Sequence, residues 1–181
     1  MLFPIPKLSL RLHYSRCEYV TARADFVILD LLSDCRMAVF EDKYTDSGRS
    51  DSTPQLIAEA IAAHQHNFRK AHGMSDICFM LNERAKKYTF CDPFFGVRVF
   101  GSKFQFFVIP VSAAIMKAME TRMRAEGPTT IFKLASKSEL DFKIPSDRAL
   151  IIKLLDQMRQ NIEIKGAKSS QRNAMMLKTA K

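Results

Sequence analysis

The chain has 181 residues, 47% apolar and 26% charged, enough for one domain with a real core and ordinary for a globular protein. No apolar run approaches the ~20 residues a bilayer-spanning helix needs, which excludes a bundle of such helices. The net charge of +9 is uneven: residues 1–50 carry seven basic and seven acidic groups, whereas from Lys165 onward there are five basic groups and no acidic ones. A basic surface favours polyanions, nucleic acid before acidic membrane, although plain solubility accounts for the excess equally well.

The start of the chain is apolar, but Pro4, Pro6 and Lys7 interrupt it and no small-residue cleavage site follows, so no signal peptide is read there. Residues 8–20 read as extended. Asp25–Asp30 is apolar and partly β-branched, a strand. Leu31–Cys35 is the turn and Arg36–Tyr44 the returning strand. Thr45–Thr53 is a polar loop. Pro54–His72 is the clearest helix, capped by Ser52 or Thr53, with Pro54 suited to its first position and Gly73 ending it. Its stripe is Ile57, Ile61, His64 and Phe68, and Ala58, Ala62 and Ala63 let it lie close to a sheet. Residues 76–81 are a further strand. Val97–Phe100 and Phe104–Val111 form a hairpin around Gly101-Ser102. A helix runs from Ser112 to Arg124, stopping at Gly127-Pro128, and Thr129–Leu134 is an edge or terminal strand. Ser146 and Asp147 open a last helix, with Leu150, Ile151, Leu154, Leu155 and Met158 as its buried stripe. From Gly166 the tail is polar, basic and disordered.

The four cysteines, Cys17, Cys35, Cys78 and Cys91, have no Cys-x-x-Cys spacing. They read as reduced, buried thiols of an intracellular protein, nuclear or cytoplasmic, rather than as a disulfide pair.

The chemistry gathers between Arg23 and Glu59. With the hairpin turn centred on Ser33, Asp25 faces Glu41, Val27 faces Val39 and Leu29 faces Met37 on one side. Phe26 with Phe40 and Ile28 with Ala38 lie on the other. Both sides are apolar, so helices should cover both. Two opposed carboxylates about 5 Å apart are unfavourable unless a cation lies between them. Mg²⁺ or Mn²⁺ resolves the conflict, because hard cations take carboxylate oxygens and leave positions for water and phosphate. Lys43, on the same side as Glu41, can hold a scissile phosphate, orient the attacking water or stabilise charge.

Asp25, Glu41-Asp42-Lys43 and the helix bearing Gln55 and Glu59 together resemble the PD-(D/E)XK, or restriction-endonuclease-like, nuclease superfamily. The segment Pro54–Ala63 looks similar to nuclease-fold domains of fungal proteins, some associated with Crinkler-type effectors. The motif match covers roughly residues 18–70. The resemblance implies that Asp25 and Glu41 bind metal with the Asp42 carbonyl, that Lys43 is the catalytic lysine, and that Gln55 orients phosphate. An acidic-x-Lys triplet alone arises about once per hundred positions, so the weight rests on the strand before it, the matched Asp and the Gln-bearing helix after it. The sequence departs from the family pattern in two places: Ala24 stands where a Pro usually precedes the first Asp, and too few residues precede Asp25 for the usual opening helix. Glu18 could stand in for that helix's acid, or be an ordinary surface residue.

Other signals are weaker. Gly96–Lys103 nearly spells a phosphate-binding loop, but the Gly-Lys-Ser/Thr order is wrong and a β-turn fits better. His64 falls on the apolar stripe as a core histidine, and His66 reads as a surface residue. Phe94, Phe95, Phe100, Phe104, Phe106 and Phe107 could stack bases beside Arg98 and Lys103, though core packing fits better. Lys70, Arg98, Lys165, Lys168 and Arg172 are candidates for contacting a nucleic-acid backbone.

The expectation is therefore one α/β domain over residues 1–165, restriction-endonuclease-like, with a central mixed sheet flanked by helices and without the first core helix, followed by a basic tail over 166–181. It would be an Mg²⁺- or Mn²⁺-dependent nuclease acting on nucleic acid, DNA ahead of RNA. The rivals are an inactive module of the same fold that binds nucleic acid or protein, and an interaction protein completed by a second chain.

Overall fold

A computed structural model describes residues 2–14, 18–30, 35–43, 53–71, 94–121 and 130–179; at several positions, 41–43 and 164–179 among them, the backbone alone is described. The elements are β1 (Leu2–Tyr14), β2 (Glu18–Asp30), β3 (Cys35–Lys43), α1 (Thr53–Ala71), β4 (Phe94–Phe100), β5 (Lys103–Ile109), α2 (Ala113–Thr121), β6 (Phe132–Lys133), β7 (Leu140–Asp141) and α3 (Pro145–Thr179). They form an α/β fold around one open, mixed sheet in the order β1-β2-β3-β4-β5-β6, with β7 also on β5. Among the described residues, β3 and β4 pair in parallel and the other pairs are antiparallel. A parallel pair needs a crossover, and α1 lies in the connection between those two strands. Among the described residues, no helix is long and apolar enough to cross a membrane.

The helices cover both faces. On one face α1 packs across β1, β2, β3 and β4, joined by α2 through Met116. Ala60, Ala62 and Ala63 are fully buried here, so small side chains bring the α1 backbone close to the sheet. The buried side of α1 is wider than a stripe, since Leu56, Glu59, His64, Gln65 and Arg69 are buried with Ile61 and Phe68, while Ile57 is only partly so. The Gln65 amide brackets the β1 backbone: its Oε1 accepts from His13 N at 2.8 Å and its Nε2 donates to His13 O at 2.9 Å. It supplies the two bonds a neighbouring strand would make there.

On the other face, Ile151, Leu154, Met158 and Ile162 of α3 bury against Ala38, Phe95, Val97, Phe106 and Leu140. The predicted stripe is corrected at its ends. Leu150 remains 36% exposed and Leu155 only partly buried, while Ile162 extends the seam by one turn. Pro145 opens this helix, and the Asp147 carboxylate accepts from Lys137 Nζ at 2.7 Å and from Asp141 N at 3.1 Å, tying the helix start to β7. The helix is described through Thr179, past Gly166. Apart from that glycine the segment is rich in good helix formers such as Ala, Gln, Arg, Met and Lys.

The hairpin of β4 and β5 turns at Gly101-Ser102, as expected, and Gly101 has φ of +54°, which glycine adopts without a Cβ clash. Four of the six phenylalanines pack as core: Phe94 and Phe107 belong to the α1 side, Phe95 and Phe106 to the α3 side, where Phe104 is partly buried, while Phe100 lies against Arg98. The β2–β3 register holds at Phe26–Phe40, Val27–Val39 and Ile28–Ala38. It then shifts, so Leu29 pairs with Arg36 rather than with Met37. Met37 is the extra residue of a β-bulge, a feature that only backbone geometry reveals. The predicted strand at 76–81 and the helix stop at Gly73 lie outside the described residues, as do the side chains of the four cysteines.

Candidate functional site

The first turns of α1 sit over the ends of β3 and β4. Gly96 makes that approach possible: a Cβ there would lie 2.9 Å from Leu56 Cδ2 and 3.0 Å from Ile109 Cδ1. One turn after Gln55 on the same side of the helix comes Glu59, which is 0% exposed, and Gln55 Nε2 donates to its Oε1 at 3.0 Å. From β4, Arg98 Nη1 donates to the Thr53 hydroxyl at 3.1 Å, and its guanidinium carbon stands 4.1 Å from the Phe100 ring centroid. Arg98 thus bridges β4 to the start of α1.

The parallel register sets Glu41 beside Arg98, Asp42 beside Val99 and Lys43 beside Phe100. Val39, two residues before Glu41, is fully buried in the α1 cluster. By strand alternation positions 41 and 43 fall on the α1 face as well. Their side chains lie outside the described residues. Backbone register therefore gathers the Glu41 and Lys43 positions, Arg98 and the first turns of α1 at one end of the sheet. This end combines the carboxyl ends of a parallel strand pair with a helix N-terminus, whose dipole favours anions.

Asp25 departs from the simple pattern. The β2–β3 ladder ends at Phe26–Phe40, and Asp25 is the next position on β2. Ala22, Ala24 and Val27 all pack into the α1 cluster, so the in–out alternation of β2 slips by one at Asp25–Phe26. Asp25 is half-buried there and Phe26 is 43% exposed. Across β1 the break falls at Lys7, whose φ is +50°. Lys7 and Asp25 are the one facing pair missing from an otherwise continuous β1–β2 ladder. The bend places Asp25 at a kink beside the site, not in the regular row with Val27 that strict alternation predicts.

The remaining candidates scatter. Lys70 is exposed in the last turn of α1, fifteen residues from Gln55, or about 22 Å along the helix. Lys165, Lys168 and Arg172 lie on the distal half of α3, where the backbone alone is described. His64 is buried, in keeping with a core histidine, whereas His66 is half-buried rather than on the surface. Glu18 is exposed at the start of β2. Glu59 is the residue that stripe reasoning undervalued. The signal was a Gln–Glu pair four apart at the start of the helix, of which Gln55 is exposed and Glu59 buried. Among the described residues, no group of three or more His, Cys, Asp or Glu side chains converges. The chain matches no protein-family model, no curated protein and no solved structure.

Proposed function

We propose that the chain is a nuclease of the PD-(D/E)XK type that hydrolyses nucleic-acid phosphodiester bonds with Mg²⁺ or Mn²⁺. One observation carries the reading: the β3–β4 register sets the Glu41 and Lys43 positions beside Arg98, under the helix turns that hold Gln55 and Glu59. The order of hairpin, crossover helix and parallel strand supports it, because it brings the acidic-x-Lys strand and the Gln-bearing helix to the same sheet end.

The donors fit a hard cation, being carboxylate and carbonyl oxygens without thiolate or imidazole. Asp25, Glu41 and the Asp42 carbonyl would hold it, and when bound it would polarise the phosphate and acidify its water. Lys43 would steady the phosphate and orient the attacking water. Gln55 would aim its amide while its bond to Glu59 restrains the side chain. Arg98 would offset the carboxylate charge beside which its backbone lies.

The test is cleavage of mixed single- and double-stranded DNA and RNA with Mn²⁺ or EDTA, comparing the natural chain with a Glu41→Ala, Lys43→Ala double variant. Metal-dependent loss of substrate restricted to the natural chain supports the reading. A folded natural chain that cleaves nothing refutes it. The alternation slip at Asp25 favours one rival, a module of the same architecture that binds nucleic acid or protein without turnover; metal-independent binding with no cleavage would establish that rival.

A further inference from the structure

The outer half of β1 and β2 is a two-stranded ribbon with two unlike faces. Even-numbered positions Leu10, Leu12, Ala22 and Ala24 bury against the α1 cluster. The odd-numbered row points the other way and holds Ser9, Arg11, His13, Tyr19, Thr21 and Arg23. The α3 cluster that covers the sheet elsewhere on that side contains no residue of β1 and only Ile28 of β2. Arg11 and Arg23 are exposed, Tyr19 is 48% exposed, and the row bears no carboxylate.

The register also fixes the spacing of the cations. Arg23 pairs with Ser9, so Arg11 is its diagonal neighbour, about 7–8 Å away in an antiparallel pair, while Lys7 lies two residues before Ser9, exposed at the break in the ladder. Lys7, Arg23 and Arg11 thus form a zigzag of exposed positive charge along the ribbon, ending at the bend beside Asp25. At the other end the groups are held in place: the Arg11 guanidinium carbon lies 4.9 Å from the Tyr19 ring centroid, and the His13 ring lies 5.6 Å from that same ring. Regularly spaced cations beside a pre-oriented aromatic ring suit a strand of phosphates with bases alongside.

We propose that this outer face of the β1–β2 ribbon binds a nucleic-acid strand, with Lys7, Arg11 and Arg23 on backbone phosphates and Tyr19 stacking on a base. The proposal rests on the nuclease reading for its class of polyanion but not for cleavage, so its test is run without metal. Binding of a labelled single-stranded oligonucleotide is measured in EDTA across a salt series for the natural chain, for Arg11→Gln/Arg23→Gln, and for Arg148→Gln/Lys153→Gln, a charge-matched pair exposed on α3. Loss of two phosphate contacts should lower the slope of log K against log salt by about 1.5 and weaken binding about tenfold, with little change in the α3 pair. Tyr19→Ala should weaken single-strand binding about tenfold while Tyr19→Phe retains it.

Equal losses in the ribbon and α3 pairs would overturn the proposal, leaving only diffuse charge. So would binding to anionic vesicles but not to nucleic acid. If the natural chain cleaves while the ribbon variants bind and cut normally, the ribbon proposal fails and the nuclease reading stands. If the Glu41→Ala, Lys43→Ala variant and the natural chain are equally inert but both bind through the ribbon, the reverse holds.

Discussion

Gly96→Ala is the sharpest test of how α1 is held over the sheet. The added Cβ would meet Leu56 Cδ2 at 2.9 Å, Ile109 Cδ1 at 3.0 Å and Leu56 Cγ at 3.2 Å. Ordinary carbon contacts lie at about 3.5–4.0 Å, so the neighbours must yield by roughly half an ångström or more. Leu56 is fully buried and Ile109 nearly so, which leaves them little room. Overpacking of this kind costs about 1–3 kcal/mol, while replacing glycine restricts the unfolded chain and returns about 0.4–1 kcal/mol. The net expectation is a loss of about 1–2 kcal/mol, seen as a lower urea midpoint at unchanged slope. Leu56→Ala removes the obstructing atoms, so it should cost less in the Gly96→Ala background than alone. A coupling of about 1 kcal/mol or more in the double-mutant cycle would mark direct contact. A raised midpoint for Gly96→Ala, or additivity of the two changes, would refute this account of the approach.

Three further perturbations follow from the same geometry. On the proposed nuclease reading, Lys43→Ala should abolish metal-dependent cleavage and leave the thermal midpoint nearly unchanged; intact cleavage would remove the lysine from the proposed mechanism. Gln65→Ala removes two hydrogen bonds to the His13 backbone. It should cost about 1–3 kcal/mol in urea unfolding and speed amide exchange at His13, whereas unchanged exchange would mean that another group seals that edge. The Asp147 carboxyl is held below the ordinary carboxylate range, chiefly by its hydrogen bond from Lys137 and then by the Asp141 amide. A depressed folded value adds stability above the unfolded value and loses it as pH falls through the folded one. Asp147→Asn should therefore melt lower than the natural chain at neutral pH, with the gap closing in acid; a gap independent of pH would assign the effect to shape instead of charge.

Elements were legible where a local signal decided them. Pro54 with the alanine-rich run marked α1, Gly101-Ser102 marked the turn of the second hairpin, and the β2–β3 register followed from apolar alternation as far as Ile28–Ala38. What was not legible depends on departures from regular geometry. The bulge at Met37 and the slip at Asp25–Phe26 each add or turn one residue, and period-two patterns carry no mark of them. The long first strand was obscured by Pro4 and Pro6, which an edge strand tolerates because one side of its backbone needs no ladder partner. Continuation of α3 past Gly166 shows the opposite bias: composition suggests a tail, but one glycine costs only about 1 kcal/mol against many good helix formers.

The two unlike faces of the β1–β2 ribbon connect these irregularities to function. If the alternation had not slipped at Asp25–Phe26, the odd-numbered residues of the outer ribbon would share a face with Val27 and Val39, under α1. Arg11 and Arg23 would then have to be desolvated against an apolar cluster, at a cost that isolated buried charge does not recover. The paired kinks at Lys7 and Asp25 reverse that assignment. They turn alanine and leucine inward beneath α1 and leave the arginines and Tyr19 in solvent. One break in two adjacent strands thus brings Asp25 to the edge of the candidate site and also creates the basic outer face. A Phe26 deletion, which removes one residue from β2 at the break, should disturb both. It would bring Ala22 and Ala24 into regular alternation with Val27 and leave Pro6 and Lys7 of β1 facing Asp25 alone, so limited proteolysis should find the ribbon loosened even where β4, β5 and α3 stay protected.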